Sequence, residues 1–130
     1  MGAGEKGSLR LLPVDDHPAM RHGLRSLLEK QPGVEVVGEA SDGLEAVEPA
    51  RTLRPEVVLM DVSMPKLDGV EATRRILAEA PGTRVVGLSM HDDPHTTARM
   101  KEVGASGHVS KSASAQKVVE AIRGATKTHF

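Results

Sequence analysis

Val57-Val58-Leu59-Met60-Asp61-Val62-Ser63-Met64-Pro65 decides the reading of this chain. Four apolar residues, two of them β-branched, run straight into a carboxylate, and a Met-Pro turn and then Gly69 follow. The apolar run is continuous rather than alternating, as in a parallel strand covered on both faces. An acid at the end of such a strand costs free energy unless something pairs with it. The rest of the chain supplies partners of suitable type: Asp15 and Asp16 after a first apolar run, Ser89 after a fourth, and Lys111 after a fifth.

Working outward, five short apolar runs are expected as strands, at 9–14, 34–38, 56–60, 84–88 and 107–109. Amphipathic stretches of helical length separate them, at 18–31, 43–53, 70–80, 94–103 and 114–123. Met20, Leu24, Leu27 and Leu28 give the i, i+4, i+7, i+8 stripe of a first helix, and Val118, Val119 and Ile122 that of the last. Gly33, Gly82 and Gly104 stand where helices hand over to strands. Strand and helix alternate five times, which implies a parallel sheet with right-handed crossovers. Ligands of open α/β sheets bind beyond the carboxyl ends of the strands. Asp15, Asp16, Asp61, Ser89 and Lys111 all fall at such ends.

The totals narrow the function further. The 130 residues suffice for one core. A formal net charge of −1 gives no reason to expect nucleic acid or an anionic membrane as a direct partner. With one Phe and no Trp or Tyr, platforms for stacking bases are missing. The absence of cysteine rules out disulfides and thiolate metal sites. No apolar run approaches the ~20 residues of a membrane span. Residues 1–8 are expected to form a flexible leader, 9–123 one domain and 124–130 a tail or the start of a linker. A cytoplasmic setting is the default expectation.

Three carboxylates converging on one point repel one another, and a hard dication resolves this. Asp16 and Asp61 are expected as direct Mg²⁺ ligands together with the backbone carbonyl of Ser63, and Asp15 as a ligand directly or through water. Asp61 would then attack a phosphoryl group, with Lys111 and Ser89 contacting its oxygens. Each residue alone has a plainer reading. Asp15-Asp16-His17-Pro18 is a plausible helix N-cap, Asp61 a turn residue, Ser89 a cap and Lys111 a solvated loop lysine. Their joint order and placement favour the site.

These residues resemble the receiver domain of two-component response regulators. The resemblance rests on Val14-Asp15-Asp16-His17-Pro18, Asp61-Val62-Ser63-Met64-Pro65 with Asp68-Gly69, Leu88-Ser89-Met90-His91-Asp92-Asp93, Gly104-Ala105 and Val109-Ser110-Lys111. In detail they look most like the NarL/FixJ subfamily, whose receivers usually precede a LuxR-type helix-turn-helix. The resemblance implies a flavodoxin-like (βα)5 three-layer sandwich with sheet order 2-1-3-4-5, the arrangement for which a receiver is a standard example. It also implies a sensor histidine kinase as phosphodonor and Asp61 as acceptor. Ser89 and Lys111 would be switch residues, with a homodimer possible on phosphorylation. The output surface is expected around the fourth helix, fifth strand and fifth helix. Ser63 and His91 would flank the line of water attack and tune dephosphorylation.

The chain departs from the family pattern in four places. His108 stands where receivers usually carry Tyr or Phe. It is either a ring of similar reach or, more sharply, a group whose charge near pH ~6.5 couples pH to switching. Pro13 lies within the first strand and predicts a bulge or a shortened strand. Pro49 falls mid-way through the second helix and should kink or end it. Ser112 follows Lys111 where many receivers have a cis proline, so that bond's isomer stays open. His91-Asp92-Asp93-Pro94-His95 reads as a helix cap in preference to a transition-metal cluster. Two other functions compete with the signalling switch. One is a phosphatase with an aspartyl-phosphate intermediate, weakened because Ser63 stands where that class often places a second acid. The other is an interaction module that no longer takes phosphate, which a misplacement of the acid pair by Pro13 would favour.

Overall fold

A computed structural model describes residues 9–62, 69–89 and 94–127. Five strands form one parallel sheet: β1 (Leu9–Val14), β2 (Val34–Val36), β3 (Val57–Asp61), β4 (Arg84–Ser89) and β5 (Gly107–Ser110), in the order β2-β1-β3-β4-β5. The helices between and after them are α1 (Pro18–Glu29), α2 (Gly43–Leu53), α3 (Gly69–Glu79), α4 (Pro94–Glu102) and α5 (Ala115–Lys127). This is the flavodoxin-like sandwich expected from the alternation of strands and helices.

The three inner strands β1, β3 and β4 divide their side chains between two cores. Leu12, Val14, Val58, Met60 and Val85 face α2, α3 and α4, where Ala46, Ala50, Ile76 and Met100 meet them. Leu11, Val57, Leu59, Val86 and Leu88 face α1 and α5, against Leu28, Val118, Val119 and Ile122. Burial on both faces is why the strands read as unbroken apolar runs. Burying a side chain of this size stabilises by about 1.5–3 kcal/mol relative to exposure. The polar ends of the strands are therefore held on a rigid frame.

Several expectations need correction. The α1 stripe is only partly covered: Leu28 is buried, whereas Met20 and Leu27 are 42% and 46% exposed. The helical period identified the helix but not the width of the face its neighbours cover. The last helix runs to Lys127, beyond the expected limit at 123, and buries Ala125 one turn past Ile122. Gly33 and Gly104 have positive φ, but Gly82, after α3, does not; α2, which has no glycine at its end, closes on Arg54 at φ 50. Pro49 does not end its helix, which continues to Leu53. The Lys111–Ser112 peptide is trans.

Pro13 neither bulges nor shortens β1. Odd-numbered residues of β1 bond toward β2: Leu9 N donates to Gly33 O, Leu11 O accepts from Val37 N, and Pro13 O accepts from Ala40 N. Even-numbered ones bond toward β3, as Arg10 O does with Glu56 N. The donor that proline lacks would thus face β2, and β2 has already ended at Val36. The chain rejoins β1 only at the Val14–Ala40 bridge. The proline occupies the one stretch of a central strand where its missing N–H has no strand beside it, and the edge strand is the element that is short.

Candidate functional site

Asp61 closes β3 and is completely buried. Its register partner is Leu88, and Val62 N donates to Leu88 O at 2.9 Å, which holds the end of β3 beside Ser89. Gly69 starts α3 directly against this corner. A Cβ there would lie 2.9 Å from both Asp61 O and Val62 Cα, so only glycine lets the helix approach so closely.

Asp15 extends past β1 and stays buried, anchored by Asp15 N to Ala40 O at 3.1 Å. Its carboxylate accepts from His17 N at 2.9 Å. Its carbonyl accepts from Arg21 Nη1 at 2.6 Å, and Arg21 is itself bonded to Glu39. Asp16 is more open, its side chain 25% exposed.

Lys111 joins the two buried acids. Its Nζ lies 2.8 Å from Asp61 Oδ2 and 2.9 Å from Asp15 Oδ2, and its side chain is only 4% exposed. Lys111 N donates to Ser89 O, which ties the β5 loop to the end of β4. Burial pushes the Lys111 ammonium toward neutrality, but the carboxylates of Asp61 and Asp15 more than offset this and hold its pKa above the ordinary lysine value. Burial likewise pushes Asp15 up, while Lys111 and the His17 amide bring it below the ordinary carboxylate value. Both therefore stay charged at neutral pH.

Ser89 Oγ lies 3.0 Å from His108 Nε2. His108 pairs in register with Gly87, and its ring rests over that glycine: a Cβ on Gly87 would come within 2.6 Å of His108 Nδ1. His108 thus points inward toward Ser89, which is accessible only because position 87 has no side chain.

The structure brings Asp15, Asp16, Asp61, Ser89, Lys111 and His108 to one edge of the sheet. Ser63 and His91, the two residues expected to tune dephosphorylation, lie outside the described residues, as do Asp92 and Asp93. Sequence reading missed His17, Arg21, Glu39 and Gly87 as contributors. His17 was visible beside the acid pair. The others depend on contacts that no local pattern encodes.

Asp15, Asp16, His17 and Asp61 each offer a ligand atom, all within 4.8 Å of one another. Asp16 Oδ1 is buried and stands 3.0 Å from His17 Nδ1 without hydrogen-bond geometry. A buried carboxylate oxygen beside two further carboxylates suits a hard cation with oxygen ligands. Between α1 and α5 a groove of about 230 Å³, lined by Met20, Leu24, Leu27 and Val118, leads to Asp15 and Lys111.

This fold and this acid pocket define a phosphorelay switch domain, and comparison with known proteins agrees. The chain belongs to the response regulator receiver domain family, which it matches over residues 11–123. It is 44% identical to the response regulator UvrY of Escherichia coli over 115 residues, 88% of this chain and 53% of that protein. To the transcriptional regulatory protein LiaR of Bacillus subtilis it is 41% identical over 119 residues, 92% of this chain and 56% of that one. The chain therefore spans about half the length of these curated relatives. Among solved structures it superposes on a LuxR-family two-component response regulator from Aurantimonas sp. SI85-9A1, with TM-score 0.84, 40% identity, 89% of this chain and 83% of that chain covered. The receiver domain of NarL from Mycobacterium tuberculosis gives TM-score 0.87 and 33% identity over 94% of this chain and 98% of that one. Receivers of this family bind Mg²⁺ at an acidic pocket, and the aspartates here provide one. Among the described residues no helix is long and apolar enough to cross a membrane.

Proposed function

We propose that this domain accepts a phosphoryl group on Asp61 from a phosphohistidine of a sensor histidine kinase. The observation that carries the reading is the buried triad in which Lys111 Nζ bridges Asp61 Oδ2 at 2.8 Å and Asp15 Oδ2 at 2.9 Å. A buried ammonium shared by two carboxylates is already placed to follow charge from Asp61 to a phosphoryl oxygen.

Asp61 Oδ attacks phosphorus, and the new P–O bond forms as the P–N bond breaks. The electron pair of that bond returns to the imidazole of the kinase. Asp16, Asp61 and the Ser63 carbonyl would hold Mg²⁺, with Asp15 bound directly or through water. The ion would supply charge neutralisation for the phosphoryl oxygens. Lys111 contacts one phosphoryl oxygen, and the Ser89 hydroxyl donates to another. Hydrolysis reverses the modification: water attacks phosphorus, releases inorganic phosphate and restores the carboxylate, with Ser63 and His91 tuning access.

The added charge draws Ser89 toward the phosphoryl group and breaks its contact with His108, which relays the change to the surface formed by α4, β5 and α5. In this reading the domain is a switch rather than a metabolic enzyme. It works in the cytoplasm, dimerises on phosphorylation and controls transcription through an effector domain outside this chain. The test is intact mass after incubation with Mg²⁺ and a small acyl phosphate. One phosphoryl adduct is expected on the wild type and none on Asp61→Asn. No adduct on the wild type would overturn the reading and favour a phosphorylation-independent interaction module.

A further inference from the structure

His17 belongs to the ligand cluster, but the magnesium site proposed above does not use it. Its side chain is 69% exposed, and Nδ1 stands 3.0 Å from Asp16 Oδ1 and 3.4 Å from Asp15 Oδ1. The approach to Asp16 is a close polar contact whose angles are not those of a hydrogen bond. Nitrogen and oxygen ligands about 2.1 Å from one ion and at right angles to each other lie about 3.0 Å apart. The observed pair therefore has the spacing of one edge of a coordination octahedron.

The position of His17 is also fixed from both sides. Its amide is bonded to Asp15 Oδ1 at 2.9 Å, and Pro18 opens α1 immediately after it. The ring is exposed enough that a metal can reach it without costly desolvation of a buried group. Imidazole is a poor ligand for Mg²⁺, which prefers oxygen and keeps its waters, and a good one for first-row transition metals.

We propose that His17 is a nitrogen ligand which turns the pocket into a mixed nitrogen–oxygen site for a first-row transition-metal dication. The inference rests on reading the pocket as a cation site. It adds a change in selectivity: transition metals should compete with Mg²⁺ here more strongly than at a pocket built from carboxylates and a carbonyl alone.

The test is calorimetric titration of the full chain with Ni²⁺ and, separately, Mg²⁺, for the wild type, His17→Ala and Asp16→Asn. Ni²⁺ and Mg²⁺ are expected to compete for one site in the wild type. His17→Ala should lower the ratio of Ni²⁺ to Mg²⁺ affinity by about tenfold or more, the loss expected when a group that tunes a metal site is removed. In ¹H–¹⁵N spectra of the imidazoles, substoichiometric Ni²⁺ should broaden the His17 ring before the other five. An unchanged affinity ratio in His17→Ala, or another ring broadened first, would overturn the inference. Asp16→Asn separates the two levels: if it weakens Mg²⁺ while His17→Ala leaves the ratio unchanged, the cation pocket stands and only the role of His17 falls. If Asp16→Asn leaves both metals bound as before, the pocket reading itself falls, and the inference with it.

Discussion

Adding a single methyl group at Gly87 should uncouple Ser89 from His108 without unfolding the domain. The Cβ of Gly87→Ala would lie 2.6 Å from His108 Nδ1, 3.1 Å from His108 Cε1 and 3.2 Å from Met100 Cε. The methionine methyl ends a flexible chain and can give by a few tenths of an ångström. The imidazole cannot, because its inward position brings it to Ser89 at 3.0 Å. Forcing the ring to stay would cost about 1–3 kcal/mol in overpacking. Swinging outward instead loses one hydrogen bond, about 0.5–1.5 kcal/mol. Position 87 has no positive φ, so alanine recovers about 0.4–1 kcal/mol by restricting the unfolded chain. The outward route is the cheaper one, and the net cost should be below about 1 kcal/mol. Urea unfolding followed by far-UV circular dichroism would measure it in a double-mutant cycle with His108→Ala. With the ring absent, Gly87→Ala should become stabilising by about 0.4–1 kcal/mol. If alanine at 87 costs the same in both backgrounds, the contact with His108 is not what keeps position 87 free of a side chain.

Three further outcomes follow from particular contacts. Pro49→Ala should stabilise the domain by about 1–3 kcal/mol, because an interior proline removes a helix hydrogen bond that α2 forgoes yet survives; a loss of stability in thermal unfolding would show that the proline ring packs usefully. Glu39→Gln should cost about 1 kcal/mol at neutral pH, since Glu39 joins Arg21 and Arg25 near the surface. Arg25, and then Arg21, hold its carboxyl below the ordinary glutamate value against a smaller opposing effect of burial. That contribution is therefore present above the ordinary glutamate range and is lost as pH falls through the folded value, so the gap between wild type and variant in urea midpoint should close in acid; a constant gap would contradict the ion-pair account. Finally, if His108 charge takes part in switching, the pH profiles of acyl-phosphate activation of the wild type and His108→Phe should differ; parallel profiles would remove any role for His108 charge.

The fold was legible because the strands announce themselves. A run such as Val57-Val58-Leu59-Met60 ending in Asp61 fits few other environments, and the order of Asp15, Asp61, Ser89 and Lys111 along the chain marked one sheet edge. Legibility failed where the outcome depends on a neighbour. The cost of Pro13 turns on whether its missing donor faces β2 or β3, and only the pairing register reveals that β2 has ended there. Met20 and Leu27 carry the helical period yet line an open groove beside Val118. Arg21 reads as an ordinary helix arginine until the loop after β2 places Glu39 beside it. Gly87 acquires its meaning only from being opposite His108.

The gap at Pro13 should also divide the sheet dynamically. β2 is joined to β1 by three register pairs, and the chain after it by one bridge, whereas β3 and β4 share five register pairs. Opening of β2, one of the two edge strands, need not disturb β1, β3, β4 and β5, whose ends carry the acids, the serine and the lysine. Amide exchange should separate into two units, with β2 exchanging through a local opening and the inner strands β1, β3 and β4 only through deeper unfolding. Phosphorylation or cation binding at the acid pocket would slow exchange in the second unit and leave the first almost untouched. Such partition lets the domain stiffen at its chemical edge while its far edge stays free to breathe.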